Sequence, residues 1–183
     1  MAQHPDDKEL LALFRNESTR EQAFTRLMKK YQEKLYWHIR RLVVEHEDAN
    51  DVLQNMFIKV WKNLENFRED SQLYTWLYRI ATNESLTFLE QQKKRSTTSL
   101  SDDESSMEYK LKADRDFDEK KLEWKLQLAI QRLPEKQRAV FNLRYFEEMP
   151  YEEMSRVLET SEGALKASYH HAVKKIEEFI LNH

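Results

Sequence analysis

Apolar residues recur three and four positions apart along most of the chain, which is the spacing of helices that bury one face. The longest such stripe occupies residues 23–43, and a second occupies residues 49–64. Glu47 and Asp48 precede the second stripe, where the positive end of a helix macrodipole favours acidic side chains. The pattern therefore predicts two long helices that face a core.

Two local signals near the N-terminus predict where the first helices begin. Residues 9–15 have a leucine-rich apolar side, which predicts a short helix. Residues 18–21 read Ser-Thr-Arg-Glu, the capping-box pattern in which the Ser18 hydroxyl accepts a hydrogen bond from the backbone N–H of Glu21. We expect the first long helix to begin at this box.

A third helical stripe, residues 73–89, carries flat, polar-tipped side chains at an unusual density, and a basic run follows it. Aromatic rings beside amide and guanidinium groups suit unstacked bases, and the basic run suits phosphates. The same composition is also typical of a buried amphipathic helix whose Trp and Tyr residues belong to the core. The candidate residues for nucleic-acid contact in this stretch are Phe67, Ser71, Tyr74, Trp76, Arg79, Asn83, Lys93, Lys94 and Arg95.

Residues 96–120 interrupt the helical pattern with a segment rich in Ser, Asp and Glu. They carry 4 Lys/Arg against 8 Asp/Glu, whereas residues 121–183 carry 10 of each kind. Such a composition is typical of a flexible segment between domains. We therefore predict an all-α protein with two helical domains, residues 8–95 and 121–183, joined by a flexible acidic linker.

The last third of the chain has the outline of a helix-turn-helix. Pro134 and Pro150 each suit the first position of a helix, and a short helix at residues 151–158 precedes a tight turn and a longer helix from Glu162. In such a motif the second helix lies in the major groove, although many three-helix bundles share the outline. The candidate DNA contacts here are Ser161, Gly163, Lys166, Ser168, Tyr169, His170 and Lys174.

Gly163 is the only glycine of the chain, and it lies in the first turn of that helix, where glycine lowers helix propensity. We expect the missing side chain to let the DNA backbone or the preceding helix come close.

The histidines show no metal-binding pattern. His38 and His46 are interpreted as surface or boundary residues, and the neighbours His170 and His171 point in different directions on a helix. We expect neither a metal nor a cofactor.

Composition narrows the class of protein. With 1 Gly and 3 Pro the chain does not suit hairpin-rich β architecture, and without Cys it has neither disulfides nor thiolate metal sites. No apolar run is long enough to span a bilayer and no secretory pattern begins the chain, so we expect a cytoplasmic protein without membrane insertion. The chain has no nucleophile–base pair, phosphate-cradling loop or paired-carboxylate site, so we expect no enzyme. Its net charge of −3 differs from the basic balance of a DNA-binding protein that acts alone.

Residues 46–61 read HEDANDVLQNMFIKVW, with Asp, Gln, Phe and Trp in a distinctive order. This order resembles the polymerase-docking helix of the sigma-70 family of bacterial transcription initiation factors, in its extracytoplasmic-function (ECF) group. Residues 67–95 resemble the segment of that family that melts and reads the minus-ten promoter element, and the run 74–81 is distinctive of the group. Residues 132–138 and 151–153 resemble the C-terminal domain that reads the minus-thirty-five element. The resemblance covers nearly the whole chain.

The resemblance implies an alternative-type sigma factor that binds core RNA polymerase, directs it to specific promoters and promotes DNA melting. It assigns the candidates between Phe67 and Arg95 to the minus-ten element and those between Ser161 and Lys174 to the minus-thirty-five element. It also implies promoter DNA as a ligand and an anti-sigma factor as a partner. The residues that it implies for docking on the clamp coiled coil of the polymerase are Asp48, Asp51, Gln54, Asn55, Phe57 and Trp61.

Three positions depart from the family pattern. Members often have a glycine where this chain has Glu69, and they commonly have arginines where it has Ser168 and His171. An arginine at such a position contacts a phosphate or a guanine. The promoter sequence that other members read therefore does not transfer to this chain.

Two other functions fit the helical pattern. A helix-turn-helix repressor or activator would bind duplex DNA alone as a dimer, which leaves the aromatic cluster of the first domain without a role. A helical adaptor would sequester a partner without touching DNA, and it would tolerate changes at Lys166 and Lys174.

Overall fold

The computed structural model describes residues 5–96 and 121–182. Within these ranges the chain forms eight α-helices, one 3-10 turn and no strand, which confirms the all-α prediction. The predicted linker, apart from its first residue, lies outside the described residues. The helices are α1 (Pro5–Arg15), α2 (Arg20–Val43), α3 (His46–Asn63), α4 (Leu73–Ser96), α5 (Lys121–Gln131), α6 (Glu135–Tyr145), α7 (Tyr151–Leu158) and α8 (Glu162–Asn182), and the 3-10 turn is Leu64–Asn66.

The N-terminal half is a bundle in which α2, α3 and α4 pack against one another and α1 covers α2. The apolar stripes predicted for α2 and α3 form its core, and their central residues are at most 2% exposed. Burying each large aliphatic side chain stabilises the fold by roughly 1.5–3 kcal/mol. The central core residues are Leu27, Leu35, Ile39, Val52, Met56 and Leu77.

The start of α2 differs from the prediction. The capping box with Ser18 as the cap is absent: the residue directly before α2 is Thr19, and no side chain caps the helix. The Thr19 hydroxyl instead donates to the carbonyl oxygen of Leu13 (2.7 Å), and the Ser18 backbone N–H donates to Oδ1 of Asn16 (3.1 Å). The turn after α1 is short, so these side chains close the turn rather than cap the helix.

The C-terminal half contains α5 to α8, and α7, a tight turn and α8 form the predicted helix-turn-helix. Glu159 ends α7 with a left-handed backbone (φ 51°). Pro134 and Pro150 lie one residue before α6 and α7, and not at the first helical position as predicted. Their extended ψ angles (141° and 147°) lead the chain into each helix. Proline has no backbone N–H, but a residue at this position would have no hydrogen-bond partner within the helix, so no helical hydrogen bond is lost. A small apolar cluster holds this half together: Ala129, Ile130, Leu133, Phe141, Ala172 and Ile176.

The two halves also share one larger core. α7 lies along α4, and α6 contacts α2. Apolar residues of the C-terminal half therefore join the buried cluster of α2, α3 and α4. They are Ala139, Val140, Leu143, Met149, Met154, Val157 and Leu165.

Side chains from the C-terminal half complete the end of α2. The last carbonyls of a helix have no partner within it. Gln131 Nε2 donates to the carbonyl oxygen of Arg41 (3.1 Å), and Arg138 Nη1 donates to that of Leu42 (2.9 Å). Arg138 also donates to Oε1 of Gln131 (2.6 Å), and burial lowers the pKa of its guanidinium. Carbonyl oxygens from both halves, those of Leu42 and Gln131, thus stabilise the buried guanidinium of Arg138.

His38 is fully buried, so its interpretation as a surface or boundary residue is wrong. The residue lies three positions after Leu35, on the core-facing side of α2. Its Nε2 is 2.8 Å from Oγ1 of Thr82, and its ring centroid is 5.0 Å from that of Tyr78. Burial, reinforced by the charge of Arg41, lowers the pKa of His38 to about 3. The imidazole is therefore neutral in the folded protein.

We expect His38 to make folding stability depend on pH. Its pKa is about 3 in the folded protein and 6.5 in the unfolded chain, so only the unfolded chain gains a proton between these values. The stability that depends on the neutral His38 imidazole is therefore fully present above pH 6.5 and is lost as pH falls towards 3. Relative to wild type, His38→Gln should become more stable on acidification by up to about 1.4 kcal/mol per pH unit in this window.

Urea denaturation at several pH values measures this difference. His170→Gln, a change at an exposed position, should keep the wild-type pH dependence. If the free energy of unfolding of wild type and of His38→Gln changed with pH in the same way, this result would contradict a buried neutral imidazole at position 38.

Candidate functional sites

The solvent-facing side of α3 presents a polar ridge. Asp51, Gln54 and Asn55 are exposed and spaced to lie on one side of the helix. Ile58 follows on the same side and is 46% exposed. Ile58 was not among the predicted docking residues, although it lies three residues after Asn55 and four after Gln54, which places it on the same side of a helix.

An apolar groove of about 440 Å³ lies between α2 and α3 beside this ridge. Trp61 is 38% exposed and lies edge-on against Phe24, with ring centroids 5.0 Å apart. We call the ridge and this groove the α3 docking surface. The groove is lined by Phe24, Met28, Gln32, Asn50, Leu53, Gln54, Phe57, Ile58 and Trp61.

The structure brings most of the predicted docking residues to this surface. Asp48 instead lies in the first turn of α3 and is half-buried. Phe57 is 6% exposed and also belongs to the core. Phe24 and Met28 of α2 were predicted only as core residues, yet they line the groove. The predicted docking residues found at the surface are Asp51, Gln54, Asn55, Phe57 and Trp61.

A second and more polar groove, of about 460 Å³, lies where α3 approaches the start of α4. We call it the α3–α4 groove. The indole of Trp76 packs on the ring of Phe67, with centroids 5.2 Å apart and planes tilted by 43°. Indole, amide and guanidinium groups together offer a stacking face surrounded by hydrogen-bond donors. The lining residues are Lys59, Asn63, Asn66, Phe67, Arg68, Asp70, Ser71, Trp76, Arg79 and Ile80.

Four predicted minus-ten residues line this groove: Phe67, Ser71, Trp76 and Arg79. Phe67 is only 6% exposed, so its ring supports Trp76 from below. The groove residues contributed by α3 and the 3-10 turn were not predicted, because their contact with α4 depends on how the helices cross.

The other predicted minus-ten residues lie outside the groove. Asn83 is exposed one turn beyond Arg79 on α4. Tyr74 is half-buried, and its ring centroid lies 6.0 Å from that of Tyr78. The basic run at positions 93–95 is exposed at the end of α4, roughly 25 Å along the helix axis from the groove. These residues therefore extend a surface along α4 instead of forming one pocket.

The loop before α4 has a left-handed backbone at Glu69 (φ 60°). Glycine adopts this conformation without the strain that a Cβ brings, which agrees with the glycine expected here from the family resemblance. Here Arg15 Nη2 pairs with Oε1 of Glu69 (2.9 Å) and donates to the carbonyl oxygen of Phe67 (3.3 Å). An ion pair and a hydrogen bond thus stabilise the loop that forms one wall of the α3–α4 groove.

The outward face of α8 carries Gly163, Lys166, His170 and Lys174, all exposed and spaced three or four apart. No heavy atom lies within 4 Å of a Cβ built on Gly163, so close approach of the preceding helix does not explain this glycine. That part of the expectation is wrong.

Two other predicted minus-thirty-five residues are partly buried. Ser168 is half-buried, and Tyr169 stacks on Phe141 with centroids 5.8 Å apart and planes within 15°. Burial raises the pKa of the Tyr169 hydroxyl, with Tyr151 nearby adding to the effect. Tyr169 therefore has a packing role whether or not it contacts a ligand.

Ser161 has a structural role that we can test. Its Oγ accepts a hydrogen bond from the backbone N–H of Ala164 (3.3 Å), directly before α8. Ser161→Ala should lower the free energy of unfolding by about 0.5–2 kcal/mol, because the cap is lost. Ser161→Asp restores a capping acceptor and should recover most of this stability in urea denaturation. Equal losses in both variants would contradict the capping role.

The described residues contain no candidate metal site, since no group of three or more His, Cys, Asp or Glu residues among them is arranged to hold a metal ion. None of their helices has the length and apolar character required to cross a membrane.

Comparison with known proteins identifies two family regions. The family model described as Sigma-70 region 2 matches residues 27–95, and that described as Sigma-70, region 4 matches residues 123–176. The RNA polymerase sigma-H factor of Pseudomonas aeruginosa is 35% identical over 164 residues, covering 85% of each chain. The ECF RNA polymerase sigma-E factor of Escherichia coli K12 is 31% identical over 165 residues, covering 86% of each chain.

Two solved structures have a similar fold. CnrH in complex with the cytosolic domain of CnrY matches with a TM-score of 0.69 and 22% identity, covering 96% of this chain and 97% of that chain. The sigma factor RpoE in complex with the anti-sigma factor NepR, from Bartonella quintana, matches with a TM-score of 0.65 and 20% identity, covering 86% of this chain and 96% of that chain. The family regions and curated relatives show that this chain belongs to the ECF group of the sigma-70 family, as an alternative sigma factor that directs RNA polymerase to promoters and is not an enzyme.

Proposed function

We propose that the three surfaces described above divide the work of promoter recognition. The α3 docking surface binds the clamp coiled coil of core RNA polymerase, the α3–α4 groove captures an unstacked minus-ten base, and the outward face of α8 reads the minus-thirty-five duplex. The observation that carries the proposal is the α3–α4 groove, a polar cleft that Trp76 and Arg79 line together with Asn63 and Asn66. In this proposal residues 8–95 and 121–183 are the two functional domains, and residues 96–120 join them.

The α3 docking surface has the composition of a protein-binding site. Its exposed apolar residues, Ile58 and Trp61, lie beside a ridge that includes Asp51 and Gln54. Aromatic and aliphatic anchors provide most of the affinity of an interface, and charged groups at its rim steer association. Asp51 suits a basic partner helix, which is why we assign this surface to the polymerase clamp.

The α3–α4 groove suits one base better than a duplex. Removing a base from its stack costs a few kcal/mol, and stacking on an aromatic side chain returns about 1–3 kcal/mol per base. The cost of unstacking and the gain from stacking on the protein nearly cancel. A single stacking site with added hydrogen bonds therefore stabilises DNA that has already opened. Trp76 provides the stacking face, and Asn63 and Arg79 line the same groove. In the free protein Arg79 forms an ion pair with Glu159, and Asn63 Nδ2 donates to the carbonyl oxygen of Lys59 (2.8 Å). In this proposal Arg79 exchanges the Glu159 carboxylate for a DNA phosphate.

The outward face of α8 presents Lys166 and Lys174 to phosphates and His170 to base edges. Lys166 lies 3.7 Å from Glu162 and 5.5 Å from the ring of Tyr151, so its ammonium group is already oriented in the free protein. A net charge of −3 fits this division of labour, because the polymerase then supplies most of the non-specific affinity for DNA.

The same assignment includes a cytoplasmic location, where the polymerase acts, and an anti-sigma partner. One structural neighbour is described as a sigma factor in complex with an anti-sigma factor, which supports a partner of this kind here. An anti-sigma factor that covers the α3 docking surface or the α3–α4 groove would prevent initiation.

Run-off transcription with purified bacterial core polymerase on genomic fragments tests the proposal. We expect discrete start sites only when this protein is present. Asp51→Arg should reduce transcripts at least tenfold and weaken core binding, because it reverses charge on the ridge. Glu33→Arg, an exposed change on α2 outside the docking surface, is the matched control and should retain both activities. Tight duplex binding without any polymerase-dependent transcripts would contradict the proposal and favour a regulator that acts alone.

The minus-ten assignment has its own test. Trp76→Leu keeps an apolar contact with Phe67 but removes the indole, and Asn83→Ala removes an exposed amide. The double variant should lose on the order of tenfold in open-complex formation, because about 1–3 kcal/mol of stacking is lost. Permanganate reactivity of unpaired thymines measures this, and core-polymerase binding should be unchanged. Thr87→Ala, also exposed on α4, is the control. Normal melting by the double variant would contradict base capture in the groove.

A further inference from the structure

Two arginines flank the short turn that joins α1 to α2. Arg15 is the last residue of α1, and Arg20 is the first residue of α2. The family model for region 2 begins its match at residue 27, so both arginines lie outside the matched region. Their side chains contact the segment 65–71, which comes directly before α4 and forms one wall of the α3–α4 groove.

Arg15 makes two contacts with this segment. Its Nη2 donates to the carbonyl oxygen of Phe67 (3.3 Å) and pairs with Oε1 of Glu69 (2.9 Å). One guanidinium group thus holds the backbone at Phe67 and the side chain two residues further on. Glu69 has a left-handed backbone (φ 60°), which is strained for a residue with a Cβ. The ion pair therefore stabilises a conformation that glutamate otherwise disfavours.

Arg20 holds the 3-10 turn that precedes the loop. Its Nη2 pairs with Oε1 of Glu65 (3.1 Å), and its Nε donates to the carbonyl oxygen of Phe14 (3.1 Å). The guanidinium carbon also lies 5.4 Å from the ring centroid of Phe14. These contacts with Phe14 orient the guanidinium before it reaches Glu65. The two arginines together contact positions 65, 67 and 69 of the segment.

α1 is a fixed base for these contacts. Leu10, Leu11 and Phe14 are each 2% exposed and belong to the core of the N-terminal bundle. Near the start of α1, the hydroxyl of Tyr31 lies 2.9 and 2.8 Å from the two carboxylate oxygens of Asp7 and donates to this buried group. The helix is thus anchored near both ends, so the position of Arg15 relative to the bundle is defined.

The strength of these contacts suits a local role. The side chain of Arg15 is 47% exposed and that of Glu69 is 34% exposed, and exposed ion pairs contribute little to global stability. Arg156 of α7 also contacts the segment, since it donates to the carbonyl oxygen of Asp70 (3.3 Å). The arginines of α1 and α2 therefore do not decide whether the bundle folds. They favour one conformation of an exposed loop over others of similar free energy.

We propose that Arg15 and Arg20 are positioning residues for minus-ten recognition, which fix the segment 65–71 so that the α3–α4 groove accepts one base in preference to the others. This inference rests on the proposed assignment of the groove to an unstacked minus-ten base. It extends promoter selection to α1 and the first turn of α2. Neither arginine contacts the base, and both act through the loop residues that line the groove: Asn66, Phe67, Arg68, Asp70 and Ser71.

The mobility of the loop in the free protein tests positioning without DNA. Because the chain has no Cys, a spin label at Arg68→Cys, an exposed position, attaches at one site only. We expect a single slow component in the spectrum of the labelled protein and an added fast component when Arg15→Ala is introduced. The matched control is Arg26→Ala, which removes an ion pair between α2 and Glu9 of α1 at a similar exposure. Identical spectra for Arg15→Ala and Arg26→Ala would overturn the proposal.

Open-complex formation with core polymerase tests selectivity. The templates are a promoter fragment found by the run-off experiment and copies in which each minus-ten base pair is substituted in turn. Permanganate reactivity gives the ratio of open complex on the original fragment to that on the copy that melts least. Arg15→Ala should lower this ratio about threefold to fivefold, the factor expected for one exposed ion pair with an added hydrogen bond. Binding to core polymerase and the free energy of unfolding should match those of Arg26→Ala.

Two further variants distinguish positioning from general support of the fold. Arg15→Lys keeps a charge for Glu69 but loses the fork of the guanidinium, so its ratio should lie between those of wild type and Arg15→Ala. In a Glu69→Ala background, Arg15→Ala should change the ratio less, because only the contact with Phe67 remains to be lost. An equal loss of open complex on all templates would overturn the proposal, because it would show a defect in folding or melting instead of selection.

The behaviour of wild type separates this inference from the proposed function. If wild type formed open complexes that depended on the minus-ten sequence, and Arg15→Ala kept the wild-type ratio, only the positioning role would fail. If wild type formed no open complex on any template, the proposed function would fail, and this inference would fail with it.

Discussion

Burial of α4 on two flanks is the constraint on which the rest of this molecule depends. One flank places Leu73, Leu77 and Ala81 in the core of the N-terminal bundle, each fully buried. The adjacent flank carries hydroxyl groups and a guanidinium that pair with acids of the C-terminal half. Arg79 belongs to this second flank and also lines the α3–α4 groove, so the groove lies at the border between α4 and the C-terminal half. The position of α4 therefore sets both the groove and the contact between the halves.

Much of the fold could be predicted from local pattern. The periodicity of α2 and α3, the helix-turn-helix and the outward face of α8 all follow from the spacing of side chains, because they involve neighbours on the same helix. Features that depend on the crossing of helices could not be predicted. His38 was misplaced because a lone polar residue on an apolar face has no local sign of its partner, Thr82, which lies two helices away. The Ser18 capping box failed because Asn16 competes for the same turn.

The candidate sites divide in the same way. Trp76 and Arg79 were predicted from their own helix, whereas Asn63 and Asn66 joined the groove only through the path of the 3-10 turn. Family resemblance implied roles for whole segments, and the structure shows which members of each segment share a surface. The acids of the C-terminal half that pair with α4, which are Glu147, Glu153 and Glu159, were not predicted, since each pairs with a residue more than sixty positions away. Long-range ion pairs between domains leave no periodic signal in a sequence.

Four residues other than glycine adopt a left-handed backbone in the described part of the chain: Val44, Glu69, Glu148 and Glu159. Two of the three glutamates are also tied by ion pairs, to Arg15 and Arg79. The only glycine lies inside a helix and contributes nothing to these junctions. Solvent-exposed ion pairs weaken as salt screens them. Added salt therefore weakens the ion pairs that hold these two left-handed junctions, whereas a glycine at either position would adopt the same backbone at any ionic strength.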